Sequence, residues 1–314
     1  MRIRGLIVAA FVFFILAGIL YWSEHHKPGE DATQASANAP PAILKLDASA
    51  IDKLELKKKD SEPIALAKDA AGKWQIVQPK PFGADQSTVL GMISTLSSLN
   101  SERVVAEDAS GLKPSDLKQY GLDVPALKLE ITEKGNRIHT LLIGDDTPTG
   151  AGVYADVVGN PKIFTIAAYA KGSVDKSLND LRDKKLFDFG FAEPNKIEMH
   201  DGSKAYLLTR SGSDNEWWQD GKKLDSGSVE SLISKLRALI AENFPDSGFA
   251  KPTIEVTVTS DDSKHMEKVL IAKSGGGYVA KRENEPALYG LNSNTVDDLK
   301  KAAAEVKPTA PASK

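Results

Sequence analysis

The sequence feature that most constrains the fold is an internal duplication. The stretch Tyr120–Ile131 aligns without gaps to Ser247–Val258. In both stretches a glycine and an apolar residue precede a proline, and three apolar residues then follow at alternate positions. Such a glycine can adopt a positive φ that ends a short helical segment, proline blocks further helix, and the alternation predicts a half-buried strand. The repeat therefore predicts two copies of one supersecondary unit.

Other landmarks recur in the same order. The aligned pairs are Leu54–Leu56 with Ile197–Met199, Trp74 with Trp217, Asp85 with Asp225, Tyr154 with Tyr278, and Phe164 with Tyr289. Each of the two aspartates precedes an apolar pattern of helical period, which predicts that it caps a helix. Each copy reads as strands, one amphipathic helix and a four-strand meander, so we predict an α+β fold with antiparallel sheets. We expect Trp217 in the core and Trp218 at the surface.

The second constraint is Gly5–Trp22, eighteen residues without charge or proline that follow Arg2 and Arg4. A helix of this length rises roughly 27 Å, which matches the hydrocarbon thickness of a bilayer. We predict an uncleaved transmembrane anchor, because the apolar part of a secretory signal usually spans only about 7–15 residues. A cleaved signal peptide is the alternative. Positive charge before the anchor favours a cytoplasmic N-terminus and places the remaining chain on the outer face.

These patterns divide the chain into five parts. Residues 1–22 form the cytoplasmic N-terminus and anchor, and the polar, Pro-containing residues 23–42 form a flexible linker. The first α+β repeat spans 43–193 and the second spans 194–306, with Pro194 marking the approximate seam between them. Residues 307–314 are predicted to be a disordered tail from their composition.

The composition excludes several classes of site. The chain has no cysteine, so thiol catalysis, disulfides and zinc–thiolate sites are excluded, and a formal net charge of −3 gives no basic footprint for nucleic acid. No phosphate-binding glycine loop and no nucleophile elbow can be found. His139, His200 and His265 lack the spacing of a helical metal site. We therefore predict no catalytic, cofactor-binding or metal-binding residue.

The most suggestive loop is Gly144–Gly150, which contains the adjacent carboxylates of Asp145 and Asp146. Adjacent carboxylates could bind a hard cation or supply a general base. The same residue types also build a wide turn, and we favour the turn because Ca²⁺ needs six to eight oxygen ligands. Near the predicted seam, Arg182 and Asp183 are adjacent, and we expect a weak surface ion pair between them.

The order of Trp74, Tyr120–Leu122, Pro125, Ile143–Pro148 and Leu181–Lys184 resembles the bacterial family labelled DUF4340, a domain of unknown function. The resemblance covers most of residues 51–299 and is weaker in the second copy, where Leu181–Lys184 has no evident partner. It implies a single N-terminal membrane helix and an association with ABC-transporter components similar to gliding-motility auxiliary proteins. It carries over no enzymatic activity and no catalytic residue.

These observations lead to three hypotheses. The first is a non-enzymatic, membrane-tethered interaction module on the outer, periplasmic face of the bacterial inner membrane, auxiliary to an ABC-type transport or envelope assembly. The second is a ligand-capture protein that binds a glycan, lipid or peptide between the repeats, because interfaces between domains favour pockets. The third is a carboxylate-dependent hydrolase that uses Asp145 or Asp146 as its base.

Overall fold

The computed structural model describes residues 42–108, 114–189, 193–211, 215–260, 264–283 and 285–310. The predicted anchor Gly5–Trp22 and nearly all of the predicted linker lie outside these residues. Among the described residues, no helix has both the length and the apolar character needed to cross a bilayer.

The first unit is built on a nine-stranded antiparallel sheet. Its strands are β1 (Ile51–Lys58), β2 (Ile64–Lys68), β3 (Trp74–Gln78), β4 (Phe82–Gly83), β5 (Arg103–Ala106), β6 (Leu127–Glu133), β7 (Arg137–Asp146), β8 (Gly152–Val157) and β9 (Ile163–Ala167). Their spatial order is β4-β3-β2-β1-β6-β7-β8-β9-β5. The helices are α1 (Gln86–Ser97), α2 (Pro114–Leu117), α3 (Ala168–Val174) and α4 (Leu178–Leu181), with a 3₁₀ turn at Lys118–Tyr120.

The second unit repeats this plan with an eight-stranded antiparallel sheet. Its strands are β10 (Pro194–Asp201), β11 (Lys204–Arg210), β12 (Trp217–Gln219), β13 (Lys222–Lys223), β14 (Ile254–Ser260), β15 (His265–Ser274), β16 (Gly277–Arg282) and β17 (Tyr289–Leu291). Their spatial order is β13-β12-β11-β10-β14-β15-β16-β17. The helices are α5 (Ser226–Arg237) and α6 (Ser293–Ala304). The predicted α+β class with antiparallel sheets is confirmed.

The pairing registers of the two sheets correspond residue by residue. Leu54 lies opposite Ile131 in the first sheet, and Ile197 lies opposite Val258 in the second. Phe164 lies opposite Ala155, and Tyr289 lies opposite Ala280. Phe164 and Tyr289 therefore occupy equivalent positions in the two sheets, as predicted. The predicted match of Tyr154 with Tyr278 is wrong by one residue. Ladder positions make Tyr154 equivalent to Val279, because two tyrosines one register apart look aligned in the sequence.

One face of each sheet is covered by helices and the other faces solvent. Along β6 the side chains of Leu127, Leu129 and Ile131 are buried, while those between them are only partly buried. The buried stripe of α1 and the inward residues of its sheet form one core cluster, and α5 and α6 complete a second cluster in the other unit. This alternation is the pattern expected of an antiparallel sheet with one covered face.

Helices α1 and α5 begin at the predicted caps. The Asp85 carboxylate accepts a hydrogen bond from the Thr88 N–H at 2.7 Å, and the Asp225 carboxylate accepts one from the Ser228 N–H at 2.9 Å. Each interaction satisfies one of the donors that the first helical turn leaves unpaired.

The outer strand at one edge of each sheet is covered by a returning segment of chain. In the first unit, Asp85 N–H donates to Leu181 O, and Asp183 N–H donates to Gly83 O. In the second unit, Asp225 N–H donates to Lys307 O, and Thr309 N–H donates to Lys223 O. Leu181–Asp183 therefore has a partner in the second copy after all, namely 307–309. The described start of the predicted disordered tail is hydrogen-bonded to the sheet.

The change from one unit to the other falls before Pro194. Leu181 is buried in the first core cluster, whereas Leu186, Phe187 and Phe189 are buried in the second. Leu186 N–H donates to Leu239 O, as Ile43 N–H donates to Leu99 O in the first unit. The sequence predicts the division at about Pro194, because the next strand pattern begins there. Residues 184–186 pair with the second unit through backbone atoms, and such pairing leaves no apolar period in the sequence.

Candidate functional site at the seam between the units

The contact region between the two units, here called the seam, centres on Arg182. This side chain is only 8% exposed. Its guanidinium carbon lies 3.7 Å from the ring centroid of Phe82 in the first unit and 3.6 Å from that of Phe244 in the second. The planar cation is therefore stacked between two aromatic rings, one from each unit. Burial lowers the pKa of Arg182, but an arginine so far above neutral pH remains charged.

A second arginine joins the units beside this stack. Arg282 on β16 donates from Nη2 to Asp183 Oδ2 at 3.1 Å and from Nη1 to Glu285 Oε1 at 2.9 Å. Its Nε donates to Leu186 O at 3.2 Å, and Nη2 also bonds to Lys185 O. Most donors of the guanidinium thus have partners, as a largely buried cation requires.

Tyr289 completes this group. Its hydroxyl donates to Glu285 Oε2, its ring lies 5.5 Å from the Arg282 guanidinium carbon, and its centroid lies 5.5 Å from that of Phe244. Burial raises the pKa of the Tyr289 hydroxyl, so the group stays protonated and remains a donor. Burial alone would lower the pKa of Arg282, but the carboxylates of Glu285 and Asp183 outweigh it, and the pKa is raised.

A cleft of about 530 Å³ opens beside these contacts, here called the seam cleft. The first unit contributes Lys73 and the segment Pro81–Ser87, and the second contributes Lys185, Asp188 and Glu285–Ala287. Lys73 Nζ and Asp188 Oδ2 lie 4.0 Å apart across it. Cations and carboxylates of both units line this cleft together with Phe82 and prolines, so it suits a polar partner with some apolar surface.

The predicted ion pair between Arg182 and Asp183 is wrong. The two side chains go to different partners, since Arg182 stacks between Phe82 and Phe244 while Asp183 accepts from Arg282. Arg182 leaves helix α4 in an extended conformation, with φ −74° and ψ 140°. Successive side chains of an extended segment point in opposite directions, which separates the two groups.

The carboxylates of Asp145 and Asp146 in the loop Gly144–Gly150 both make contacts within the first unit. β7 extends through Asp146, so the turn itself begins at Thr147. The Asp145 carboxylate lies against the backbone of Gly121, where an added Cβ would meet its Cγ at 2.4 Å. Asp146 is 67% exposed and pairs with Lys171 at 3.0 Å. Within the described part of the chain, no group of three or more His, Asp or Glu residues could hold a metal ion.

The three strand histidines occupy different places. His139 Nε2 lies 3.2 Å from Glu133 Oε2, and His265 Nε2 lies 3.6 Å from Glu267 Oε2. His200 is exposed at one side of an open groove next to Lys251 and Glu255. The structure does not bring the three histidines together. Of the tryptophans, Trp217 is buried as predicted, and Trp218 is half-buried.

Sequence reasoning missed Phe82, Phe244, Arg282 and Tyr289 as seam residues. These residues are far apart in the chain and sit on short strands and loops without periodicity. A signal was available in the duplication, because Phe82, Phe244 and Arg282 stand at positions where the other copy carries a different residue type, whereas Tyr289 matches the aromatic Phe164. That comparison needs the exact strand register, which the sequence alignment did not provide beyond the gap-free stretch.

Comparison with known proteins gives one match. The family model described as "Domain of unknown function (DUF4340)" matches residues 74–252, more than half of the 314-residue chain. The matched range begins at Trp74 in the first unit and ends in the second, so it includes Phe82, Arg182 and Phe244. No curated protein and no solved structure matches the chain.

Proposed function

This chain belongs to the DUF4340 family, a domain of unknown function, and we propose that it is a membrane-tethered interaction module whose partner binds at the seam cleft. In this proposal the module is non-enzymatic and stands on the outer face of the bacterial inner membrane. Its partner is a component of an ABC-type transport or envelope assembly. The observation that carries the proposal is the seam cleft, because both units contribute charged side chains to one concave surface.

The chemistry of the cleft supports a protein partner. Lys73 and Asp188 at the cleft are 65% and 48% exposed, so their charges remain available to a bound surface. Partly exposed charges at the rim of an interface mainly set partner choice and association rate. Phe82 and Pro286 offer apolar contact area within the same cleft. A mixture of apolar contacts and charged rim groups is the usual composition of a non-obligate interface.

Photo-crosslinking in native membranes tests this function. A photoreactive residue at Lys73, which lines the cleft, should give a reproducible adduct with one membrane protein. The same residue at Lys204, the exposed first residue of β11 in the second unit, which does not line the cleft, is the control. Absence of any adduct from position 73, or an equal yield from position 204, would contradict the proposal.

The tether is tested separately by washing membrane vesicles with alkaline carbonate. A chain anchored by Gly5–Trp22 should stay with the membranes, and a reporter at the C-terminus should be active on the outer face. Release of the chain, or a cytosolic reporter, would contradict the anchor.

Ligand capture is the second candidate, because about 530 Å³ lies within the range of small-molecule sites. A glycan, lipid or peptide in the cleft would protect Lys73 and Lys185 from lysine-modifying reagents in protein purified directly from membranes. Delipidated, refolded protein should lose that protection. Equal modification in both preparations would count against this candidate.

A further inference from the structure

We infer that the stack of Phe82, Arg182 and Phe244, together with the Arg282–Asp183 ion pair, forms a clamp that makes the two units one rigid body. We call these five residues the seam clamp. The alternative is two lobes that swing about the connecting segment. The inference goes beyond the proposed function, because it holds whatever binds in the cleft.

The first argument is that the clamp ties both cores together. Phe82 is packed against the hydrophobic core of the first unit and also against that of the second. Phe244 packs against the second core and touches Tyr289. Separation of the units would therefore expose both rings and remove Arg182 from between them. Each of these losses opposes a hinge motion.

The second argument comes from the polar contacts. Arg282 belongs to the sheet of the second unit, and Asp183 belongs to the segment that covers β4 of the first. The side chains of Arg282 and Asp183 are only 17% and 19% exposed. Parting this largely buried pair would leave the Asp183 carboxylate without its cation, while Arg282 keeps Glu285, and such a loss is more costly than breaking a surface pair.

The third argument is that the clamp residues differ between the copies where the core residues agree. Ile76 lies opposite Phe82 in β4, and Gln219 lies opposite Lys222 in β13. Ala84 lies opposite Arg182, and Leu224 lies opposite Pro308. The ladders of β7 with β8 and of β15 with β16 give the match for Arg282. The pairing of β5 with β9 and the bridge between Asn243 and Gly290 give the match for Phe244. The resulting pairs are Phe82 with Lys222, Arg182 with Pro308, Phe244 with Val104, and Arg282 with Val157.

These differences show that the clamp is not a requirement of the unit itself. A second unit with Pro308 and Lys222 in these places closes its own edge without an arginine or an aromatic ring. Arg182 and Phe82 occur in the copy that is followed by another unit, and Phe244 and Arg282 occur in the copy that is preceded by one. The residues are placed where two units must be joined.

The test measures the distance between the units in the full chain, purified in detergent. Because the chain has no cysteine, two introduced cysteines can carry spin labels without competing sites. Lys134→Cys in a turn of the first unit and Lys204→Cys at the start of β11 in the second are both at exposed positions. Pulsed electron–electron double resonance should give a single narrow distance distribution for the parent chain. The Arg182→Ala substitution should clearly broaden this distribution.

Arg237→Ala is the matched control. Arg237 also stacks on an aromatic ring, Phe189 at 5.2 Å, and pairs with Glu193, but all three belong to the second unit. Its removal should leave the distribution narrow. If Arg182→Ala reduces the folded fraction, Arg182→Lys and Phe244→Leu provide the same comparison in milder form. A broad distribution in the parent chain, or narrow distributions in all folded clamp variants, would overturn the inference.

Discussion

At the scale of single residues, the carboxylate of Glu133 is a buried charge that needs hydrogen-bond donors, because its side chain is fully buried at the end of β6. It accepts hydrogen bonds from the Asp47 N–H at 2.6 Å, from Arg137 Nε and from His139 Nε2. In the second unit, Glu267 accepts from the Asp188 N–H at 2.7 Å. In each unit a buried or half-buried carboxylate thus fixes the segment that enters the unit.

Glu133→Gln should destabilise the folded chain by about 1–3 kcal/mol, because a neutral amide replaces an ionised acceptor of several hydrogen bonds. The measurement is the free energy of urea unfolding at neutral pH. Glu130→Gln is the control, since Glu130 is a half-buried residue on the open face that pairs with Lys128 at 2.6 Å. It should cost under about 1 kcal/mol. Equal effects of the two substitutions would contradict this account of Glu133.

The same group predicts a dependence on pH. Burial raises the pKa of Glu133, but the hydrogen bonds from Asp47, His139 and Arg137 outweigh it, and the pKa lies below its usual range. A depressed folded-state pKa contributes stability above the unfolded value of about 4.3, and this contribution is lost as the pH falls through the folded pKa. Urea unfolding between neutral pH and pH 3 should therefore show a smaller loss for Glu133→Gln than for the parent chain. Identical pH profiles would contradict it.

Two glycines show how local space decides a substitution. An added Cβ at Gly144 would lie 2.1 Å from the Tyr120 carbonyl oxygen, whereas at Gly91 in α1 nothing lies within 4 Å. Gly144→Ala should cost about 1–3 kcal/mol or more through overpacking against backbone. Gly91→Ala should stabilise by about 0.5–1 kcal/mol, because alanine restricts the unfolded chain and favours helix. Thermal unfolding of both variants checks the opposite signs.

At the scale of elements, the two units share the same helix caps and the same kind of edge segment. Asp85→Ala and Asp225→Ala should each cost about 1 kcal/mol, because each removes an acceptor from the first turn of a long helix. Asp85→Asn and Asp225→Asn keep an oxygen acceptor and should retain most of the stability. Chemical unfolding monitored by tryptophan fluorescence provides the comparison. If the substitution lowered stability in one unit and had no effect in the other, the two helices would not start in the same way.

Truncation tests the edge segment of the second unit. A chain ending at Val306 keeps the contact of this side chain with the second core but loses the two backbone hydrogen bonds that Lys307 and Thr309 make at the sheet edge. At about 0.5–1.5 kcal/mol for each bond, we expect a loss of about 1–3 kcal/mol relative to a chain ending at Ala310. Amide exchange at Asp225, whose N–H donates to Lys307 O, should become faster in the shorter chain. Unchanged exchange at this site would contradict the pairing.

The elements also show what the sequence could and could not reveal. Trp74, Trp217 and the two aspartate caps were predictable, because burial and capping select particular side chains at fixed places in a period. The equivalence of Leu181–Asp183 with 307–309 was not, because these segments pair through backbone atoms that any residue provides. The seam was not predictable either. Phe82, Arg182 and Phe244 meet only after two sheets have formed, and no local pattern links them.

At the scale of the whole molecule, the division between the units has an energetic consequence. Leu186 is fully buried in the second core although it precedes the predicted second repeat. Leu186→Ala should cost about 2–5 kcal/mol, as for other large-to-small changes in a core. Leu90→Ala on the exposed side of α1, where the side chain is 55% exposed, should change stability by no more than about 0.5 kcal/mol. Denaturant unfolding of both variants checks this boundary.

The covered sheet edges make the body extensible. The second unit begins by pairing with the residues that follow its own helix α5 and ends by closing its own outer strand β13. A third copy could be appended after Thr309 without rebuilding either existing sheet. Arginine in place of Pro308 and phenylalanine in place of Lys222 would supply the second unit's half of the stack, an added copy with counterparts of Phe244 and Arg282 would supply the other half, and the array would lengthen by one stiff segment at a time.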